Sequence, residues 1–361
     1  MKTRLTKAIV AVLVLTLLLS LTSTAYMTEK KQLTVRIGSG HSPSNPWITA
    51  LEDQFVTNVS QRVEAETGYT INWVKSYGGS TINLRNELEG VQSGLVDIGC
   101  IILVFEASRL PLQTMVYSMP FSCSDPLIVA KVYQQMEEEF PALSTDYETK
   151  YNQKLLGMGV SDQYGLYSTK QITNLNDLAG MKIGAAGINL TWIEGSGAIG
   201  VQTSLNDTYQ NLQTSVCDAT IQPTHSCINL KVYEVAPFYL DANLNVLPFN
   251  AVTANLDSWN SWPEEVRAIM TEVGSEYLAY ESEYISKVHA EDLKFMQENG
   301  VQVDTLSREA QVAWAASLDD VVANQIKLLN DLGYEGNKIV SRYFELLGEN
   351  GVEQVRDWNM N

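Results

Sequence analysis

The 361-residue sequence is poor in the side chains that catalytic and metal sites commonly use. Its three histidines, His41, His225 and His289, are widely separated, and its four cysteines form no C-x-x-C pair. Such scattered residues do not have the spacing of a metal site. The sequence also lacks a G-x-S-x-G elbow, a phosphate-binding loop and an H-E-x-x-H motif. We therefore expect no catalytic residues, no cofactor and no metal.

One glycine-rich stretch, residues 195–200, matches the G-x-G-x-x-G pattern. A dinucleotide site requires these glycines between a strand and the helix that follows it. Here they come at the end of a predicted helix and just before a strand. The position of the motif therefore argues against nucleotide binding.

Positive charge is scarce. The chain has 24 Lys and Arg and 42 Asp and Glu, which gives a formal net charge of −18. Such a chain would be repelled by the phosphates of nucleic acid, so no nucleic-acid partner is expected. The apolar content of 45% is sufficient for packed cores, and the length predicts two domains.

The N-terminus has the pattern of an export signal. Lys2, Arg4 and Lys7 form a basic segment, and residues 8–21 are an apolar run shorter than a membrane span. Small residues then precede a cleavage site, which we place after Ala25. Residues 1–25 are therefore interpreted as a signal peptide, with a retained N-terminal anchor as the alternative, and the mature chain is expected in the periplasm.

In an oxidising compartment the four cysteines have two possible fates. They fall into two groups along the chain, so Cys100–Cys123 and Cys217–Cys227 are possible disulfides. Free buried thiols are the alternative, because spacing alone does not establish disulfide geometry.

The hydrophobic pattern predicts α/β structure in both halves of the chain. In the first half, strands at 33–37, 70–74 and 94–99 alternate with helices at 51–63 and 84–93, which indicates a mostly parallel sheet. The second half repeats this rhythm, and the predicted elements follow in order. They are strands at 154–161, 165–168, 181–185, 217–222 and 244–255, a turn or short helix at 174–178, helices at 188–200 and 207–215, a long helix from 263 to 299, and helices at 308–332 and 337–347.

Several stretches, taken together and in this order, resemble the solute receptors of tripartite ATP-independent periplasmic (TRAP) transporters, in a family of dicarboxylate-receptor-like proteins. They are residues 37–47, 78–79, 87–98, 110–111, 119–121, 176–183, 216–218, Pro223, 255–259 and 262–266. The resemblance covers nearly the whole mature chain.

This resemblance implies a two-lobed α/β periplasmic-binding-protein fold with hinge crossings and a long C-terminal helical strap. Lobe I is expected to contain residues 26–159 and about 246–285, and lobe II residues 160–245 and about 286–361. The resemblance further implies a small-molecule ligand held in a cleft that closes by hinge motion. It also implies a small and a large membrane subunit as partners, and no enzymatic activity.

The sequence departs from the family pattern at two arginine positions. Carboxylate-binding members usually carry an arginine where this chain has Gly184, and many carry a second one where it has Tyr167. A guanidinium pairs with both oxygens of a carboxylate. Because no Arg or Lys lies between Lys182 and Lys231, we expect a ligand other than a simple carboxylate, such as an amine, an alcohol or a neutral solute.

The expected cleft is aromatic and acidic, and it would suit an amine through cation–π contact or a neutral ring through stacking. The candidate ligand-binding residues are His41, Trp47, Tyr77, Phe105, Glu106, Asp162, Tyr164, Tyr167, Gly184, Trp192, Glu194, Gln222, Phe249 and Asn250. For each aromatic residue, packing in the core is the alternative. Two alternative functions remain open. One is a receptor for another importer or a sensor, and the other is an exported α/β enzyme.

Overall fold

The computed structural model describes residues 30–358, so the predicted signal peptide lies outside the described residues. Eleven strands form two sheets within this range. The strands are β1 (Lys31–Gly38), β2 (Tyr69–Ser76), β3 (Ile98–Ile102), β4 (Gln153–Val160), β5 (Tyr164–Ser168), β6 (Lys182–Ala185), β7 (Ile199–Gln202), β8 (Ala219–Pro223), β9 (Phe238–Asp241), β10 (Pro248–Asn255) and β11 (Gln302–Thr305).

Helices cover both sheets. The α-helices are α1 (Pro46–Ala50), α2 (Thr57–Glu66), α3 (Glu87–Gln92), α4 (Pro126–Glu139), α5 (Ala142–Tyr151), α6 (Thr208–Gln213), α7 (Thr224–Asn229), α8 (Leu256–Ser261), α9 (Glu264–Glu298), α10 (Arg308–Ser317), α11 (Val321–Asp331) and α12 (Gly336–Glu349). A π-helical segment, Leu51–Val56, joins α1 to α2, and short 3₁₀ helices lie at Leu103–Phe105, Met115–Ser118, Leu175–Leu178, Gly187–Ile193, Leu205–Asp207 and Val232–Glu234. No helix within residues 30–358 is long and apolar enough to cross a membrane.

The first sheet has the order β2-β1-β3-β10-β4, and we call this sheet with its helices lobe I. Strand β1 pairs in parallel with β2 and β3, as the sequence predicts. Strand β10 pairs antiparallel with β3 and β4. The sheet is therefore mixed rather than mostly parallel, because β10 returns to it from the other lobe and runs in the opposite direction.

The second sheet has the order β11-β9-β5-β8-β6-β7, and with its helices it forms lobe II. Strand β5 pairs antiparallel with β8 and β9, whereas β6 lies parallel to β7 and β8. The sequence predicts no strand at the positions of β7, β9 and β11. In both sheets one central strand, β10 or β5, runs against its neighbours.

The predicted long helix is confirmed as α9, whose buried residues recur every three or four positions from Val266 to Met296. It packs on β4, α2 and α4 in lobe I and on α7 and β11 in lobe II. The helix predicted at 308–332 is instead two helices, α10 and α11. Asp320 caps α11 by accepting the backbone N–H of Ala323 at 3.1 Å.

The helix predicted over residues 188–200 is also wrong in its second half. Only the 3₁₀ helix Gly187–Ile193 forms, and residues 199–202 belong to β7. Gly195 and Gly197 separate the two with φ angles of 82° and 81°, a left-handed conformation that ends a helix. The pattern also left unassigned residues 126–151, which form α4 and α5.

All four cysteines are free and buried, so the disulfides Cys100–Cys123 and Cys217–Cys227 are wrong and the alternative of buried thiols holds. Cys100 lies in the middle of β3, whereas Cys123 lies beside Asp125 in a loop. Cys217 faces Gly184 in lobe II, and Cys227 lies on α7. The two cysteines of each pair thus lie in different elements, which spacing does not reveal.

Candidate functional site

A narrow cavity lies where the carboxyl ends of parallel strands from both sheets meet, the usual place for a ligand in α/β proteins. We call it the inner chamber, and its volume is about 20 Å³, which is room for about one water molecule. Lobe I contributes His41, Ile102, Val104, Phe105 and Phe249, and lobe II contributes Tyr164, Ala186, Leu205, Gln222 and Pro223. A larger ligand requires the two walls to separate.

On the lobe I wall, His41 is held by Trp47. The indole Nε1 of Trp47 donates a hydrogen bond to His41 Nδ1 at 3.0 Å, and Trp47 also packs on Phe249 with ring centroids 4.5 Å apart. An indole N–H only donates, so His41 Nδ1 accepts and the neutral ring carries its proton on Nε2. Burial lowers the pKa of His41 to about 3, and its Nε2 atom has no partner among the described residues. His41 therefore offers the chamber an uncharged N–H donor.

On the lobe II wall, Tyr164 and Gln222 supply the polar groups. Tyr164 packs edge-on against Trp192 with centroids 5.3 Å apart, and Trp192 donates its indole N–H to the backbone oxygen of Tyr117 at 2.6 Å. Gln222 Nε2 donates to Thr208 Oγ1 at 3.3 Å. The inner chamber thus has aromatic walls and neutral polar groups, and none of the described residues that line it is charged.

A second and larger cavity, the outer chamber, adjoins the first and shares Val104 and Phe105 with it. Its volume is about 540 Å³. Lobe I lines it with Arg85, Val104, Phe105, Ala107, Ser108 and Arg109, and lobe II with Gly187, Ile188, Gln202 and Thr203. The expectation of an acidic cleft is therefore wrong for this part, because the two charged residues that line it are arginines.

Gly184 does not line either chamber. A Cβ atom there would lie 2.9 Å from Thr203 Cγ2 and 3.0 Å from Cys217 Sγ. Thr203 itself lines the outer chamber, so it occupies the space that a longer side chain at Gly184 would need. The packing around Gly184 therefore leaves no space for an arginine side chain at this position.

Four candidate aromatic residues line neither chamber, and they are Trp47, Tyr77, Tyr167 and Trp192. Tyr77 donates its hydroxyl to Glu52 at the edge of lobe I. Tyr167 donates to the backbone oxygen of Thr224 at 3.0 Å and is fully buried, as is Trp192. For Tyr77 and Tyr167 the structure thus favours the alternative of packing, whereas Trp47 and Trp192 support residues that line the inner chamber.

The candidate carboxylates also face away from the chambers. Glu106 is fully buried and contacts Arg109 at 2.7 Å, and burial raises the pKa of Glu106 to about 7. Asp162 accepts the backbone N–H of His225 at 2.6 Å, and burial raises the pKa of Asp162 to about 7 as well. Glu194 is exposed at the end of a 3₁₀ helix.

Asp162 belongs to a buried cluster with His225 and Asp292. Asp292 contacts His225 Nδ1 at 2.9 Å. Burial lowers the pKa of His225, but the contact with Asp292 outweighs it and the net shift is upward. Among residues 30–358 no group of three His, Cys, Asp or Glu is arranged to hold a metal ion.

Asn250, the last candidate, lies behind the chamber wall rather than on it. Its Nδ2 donates to Tyr277 Oη at 3.2 Å, while the preceding Phe249 lines the inner chamber. Successive residues of a strand point to opposite faces, so only one of these two can face the ligand.

The sequence reasoning missed the arginines of the outer chamber. Arg85 and Arg109 lie in loops, where no periodicity indicates the direction of a side chain. The family pattern places its cations in lobe II, where this chain has none between Lys182 and Lys231, whereas Arg85 and Arg109 belong to lobe I.

The chain matches the family described as "Bacterial extracellular solute-binding protein, family 7" over residues 37–328. A solute-binding protein of Sulfitobacter sp. (strain NAS-14.1) is 27% identical over 149 residues, which are 41% of this chain and 45% of that protein. The match thus spans less than half the length of this relative.

Solved structures of TRAP solute-binding proteins share the fold. One from Rhodoferax ferrireducens T118, in complex with copurified benzoate, has a TM-score of 0.78 at 16% identity, with 88% of this chain and 98% of that chain covered. One from Sulfitobacter sp. NAS-14.1, with bound β-D-galacturonate, has a TM-score of 0.73 at 19% identity and coverages of 87% and 100%. One from Desulfovibrio salexigens, with bound orotic acid, has a TM-score of 0.73 at 20% identity and coverages of 88% and 99%. At these identities the likeness shows the fold, and it confirms the two-lobed α/β architecture.

Proposed function

Since the chain belongs to the family 7 bacterial extracellular solute-binding proteins, we propose that it is the receptor of a TRAP transporter, binding a small organic molecule between its lobes. The observation that carries this proposal is the inner chamber, to which both lobes contribute aromatic and polar side chains. A ligand that touches both walls stabilises the closed arrangement and none other, as hinge-closing receptors require.

We further propose that the lobes follow the boundaries expected from the sequence, with residues 26–159 and about 246–285 in lobe I and 160–245 and about 286–361 in lobe II. Opening would then occur at the crossings near residues 160–163 and 242–247 and along α9. The receptor would act in the periplasm and deliver its ligand to a small and a large membrane subunit without altering it.

The ligand group that enters the inner chamber would be uncharged or cationic. His41 offers a neutral N–H, Gln222 an amide, and Phe249 and Tyr164 their rings, but no guanidinium or ammonium lines the chamber. A carboxylate placed there would lose its hydration without a cationic partner, which is unfavourable. Compounds that are little more than carboxylates, such as succinate, are therefore disfavoured, whereas alcohols, amines and neutral rings fit.

Melting midpoints measured with a panel of small solutes test this function, because a ligand that binds only the folded state raises the midpoint. We expect alcohols, amines or ring compounds to raise it, and Gln222→Ala to reduce the shift. Asn324→Ala, an exposed change on α11, is the matched control. A panel in which only succinate and similar simple acids shift the midpoint would contradict the ligand class.

Delivery is tested in membrane vesicles that contain the two membrane subunits. Uptake of the bound solute should require this chain and an ion gradient and should persist without ATP. Uptake that depends on ATP would instead favour another importer as partner.

A further inference from the structure

We propose that Arg85 and Arg109 form an anion-binding subsite in the outer chamber, which holds the carboxylate of a ligand whose neutral part occupies the inner chamber. This inference rests on the proposed receptor function and specifies its ligand as a molecule with an uncharged body and one acidic end. The guanidinium groups come from lobe I, whereas the family pattern led us to look for them in lobe II.

The charge of the outer chamber is opposite to that of the chain. Asp and Glu outnumber Lys and Arg by 42 to 24, yet the ten residues that line this chamber include two arginines and no carboxylate. Ser108 and Gln202 add hydrogen-bond donors. A cavity with this lining attracts an anion within a protein whose overall charge repels anions.

Arg109 is positioned by a buried carboxyl group. Its Nη2 atom lies 2.7 Å from Glu106 Oε2, and the Glu106 side chain is 0% exposed whereas that of Arg109 is 34% exposed. Nη2 also donates to the backbone oxygen of Arg85 at 3.4 Å. Glu106 thus acts as a positioning residue, since it anchors one side of the guanidinium from within lobe I while Arg109 also lines the outer chamber.

Arg85 has no ion-pair partner for its side chain among residues 30–358, and its side chain is exposed on the chamber wall. A guanidinium carries five N–H donors in a planar fork, the geometry that matches a carboxylate. Because Arg109 donates to the Arg85 backbone, the two residues are neighbours across this wall. One oriented and one unpaired guanidinium together can enclose a single carboxylate.

The facing wall in lobe II supplies neutral contacts only. Thr203 Oγ1 accepts a hydrogen bond from Asn211 Nδ2 at 2.7 Å and donates to the Ser204 backbone oxygen at 3.4 Å. Val104 and Phe105 line both chambers, so a ligand that extends past these two residues would reach both. The acidic end would therefore dock on lobe I, and closure of lobe II would cover the neutral body.

Calorimetric titration with three acids and their uncharged counterparts tests the subsite. The probes are benzoate with benzamide, pyroglutamate with 2-pyrrolidinone, and galacturonate with galactose. We expect at least one acid to bind about tenfold or more tightly than its counterpart, with Arg85→Gln or Arg109→Gln removing that preference. Arg85→Lys should restore part of it, because an ammonium keeps the charge and loses the fork.

Two further variants separate a binding effect from a folding effect. Arg62→Gln removes a partly exposed arginine on α2 that pairs with Glu66 at 2.8 Å and with Glu272 at 2.6 Å outside both chambers, and it should leave every affinity unchanged. Glu106→Gln combined with Arg109→Gln avoids leaving a buried carboxyl group unpaired. Acids that bind no more tightly than their counterparts, or an acid preference that survives both arginine changes, would overturn the subsite. If no probe of either kind bound, the proposed ligand class would be contradicted, whereas the receptor function is tested separately by the panel of melting midpoints and by uptake.

Discussion

The hydrogen bond from Trp47 Nε1 to His41 Nδ1, 3.0 Å long, determines which ring nitrogen of His41 carries the proton. Because the indole can only donate, the proton of His41 is on Nε2, which has no partner among the described residues. Trp47 therefore converts a titratable residue into a fixed neutral donor at the wall of the inner chamber.

Replacing Trp47 with Phe should destabilise the protein by about 1–3 kcal/mol, because a buried ring nitrogen is left without its donor. Ligand affinity should fall as well, since both tautomers of His41 become accessible. Urea unfolding measures the loss of stability, and nitrogen NMR shifts of the His41 ring show which tautomers are present. Trp259→Phe, on α8 beside Trp262, is the matched control. An unchanged tautomer in Trp47→Phe would contradict this account.

A buried network behind the same wall contains a carboxyl group with a raised pKa. Tyr277 Oη lies 3.1 Å from the Trp47 backbone oxygen and 3.0 Å from Glu281 Oε1. One hydroxyl proton cannot serve both acceptors, so a proton on Glu281 completes the network. Burial raises the pKa of Glu281 to about 8, in agreement with this donor count.

This protonation predicts that the protein becomes less stable as the pH rises. An unfolded glutamate has a pKa of about 4.3, so between that value and about 8 the folded state holds a proton that the unfolded chain has lost. The stabilisation is complete below pH 4 and is lost as the pH approaches 8. Glu87, Glu106 and Asp162, whose pKa values are each raised to about 7, act in the same direction.

Glu281→Gln should reduce this loss of stability, because an amide keeps a donor at every pH. In the parent the free energy of unfolding should fall between pH 5 and pH 8. We expect this fall to be about 1–4 kcal/mol smaller in the variant. Urea unfolding at the two pH values measures the difference. Glu283→Gln, exposed on the same helix, should behave like the parent, and an equal pH dependence in Glu281→Gln would show that Glu281 is ionised.

Two hydrogen bonds join the turn before α1 to α7 across the lobes. Ser226 Oγ donates to Asn45 Oδ1 at 3.1 Å, and Asn229 Nδ2 donates to the Ser44 backbone oxygen at 2.6 Å. Removing both in Ser226→Ala with Asn229→Ala should speed ligand dissociation about twofold to tenfold per bond, since each contributes about 0.5–1.5 kcal/mol to the closed arrangement. Stopped-flow dissociation rates measure this, again with Asn324→Ala as the control. Unchanged rates would mean that these bonds persist when the ligand leaves.

The four thiols should be inert in the folded protein. Burial raises the pKa of Cys123 to about 11 and shifts the pKa values of Cys100, Cys217 and Cys227 upward as well, so little thiolate is present. A chromogenic thiol reagent should detect none before unfolding and four afterwards. A mass increase on reduction would reveal a disulfide.

The parts of the fold that follow from local pattern could be predicted. The apolar stripe of α9 and the alternating residues of β1 are repeated signals, and both elements appear where expected. The missed strands β7, β9 and β11 are four residues long, too short for a clear period. The cysteine pairs failed for a different reason, because proximity in sequence does not determine whether two thiols meet in the folded structure.

The candidate site likewise contains residues that could be predicted from the sequence and residues that could not. His41, Phe105, Tyr164, Gln222 and Phe249 were named from the sequence and do line the inner chamber. Neighbouring candidates such as Glu106 and Asn250 point the other way, which depends on strand register and loop conformation. Arg85 and Arg109 required three-dimensional placement, because nothing in their local sequence marks them as facing a cavity.

The electron density of a bound ligand tests the central claim most directly. We expect a crystal structure of the complex to show one molecule that contacts Phe249 of lobe I and both Tyr164 and Gln222 of lobe II. A ligand held by one lobe alone, or bound outside the two chambers, would contradict the account.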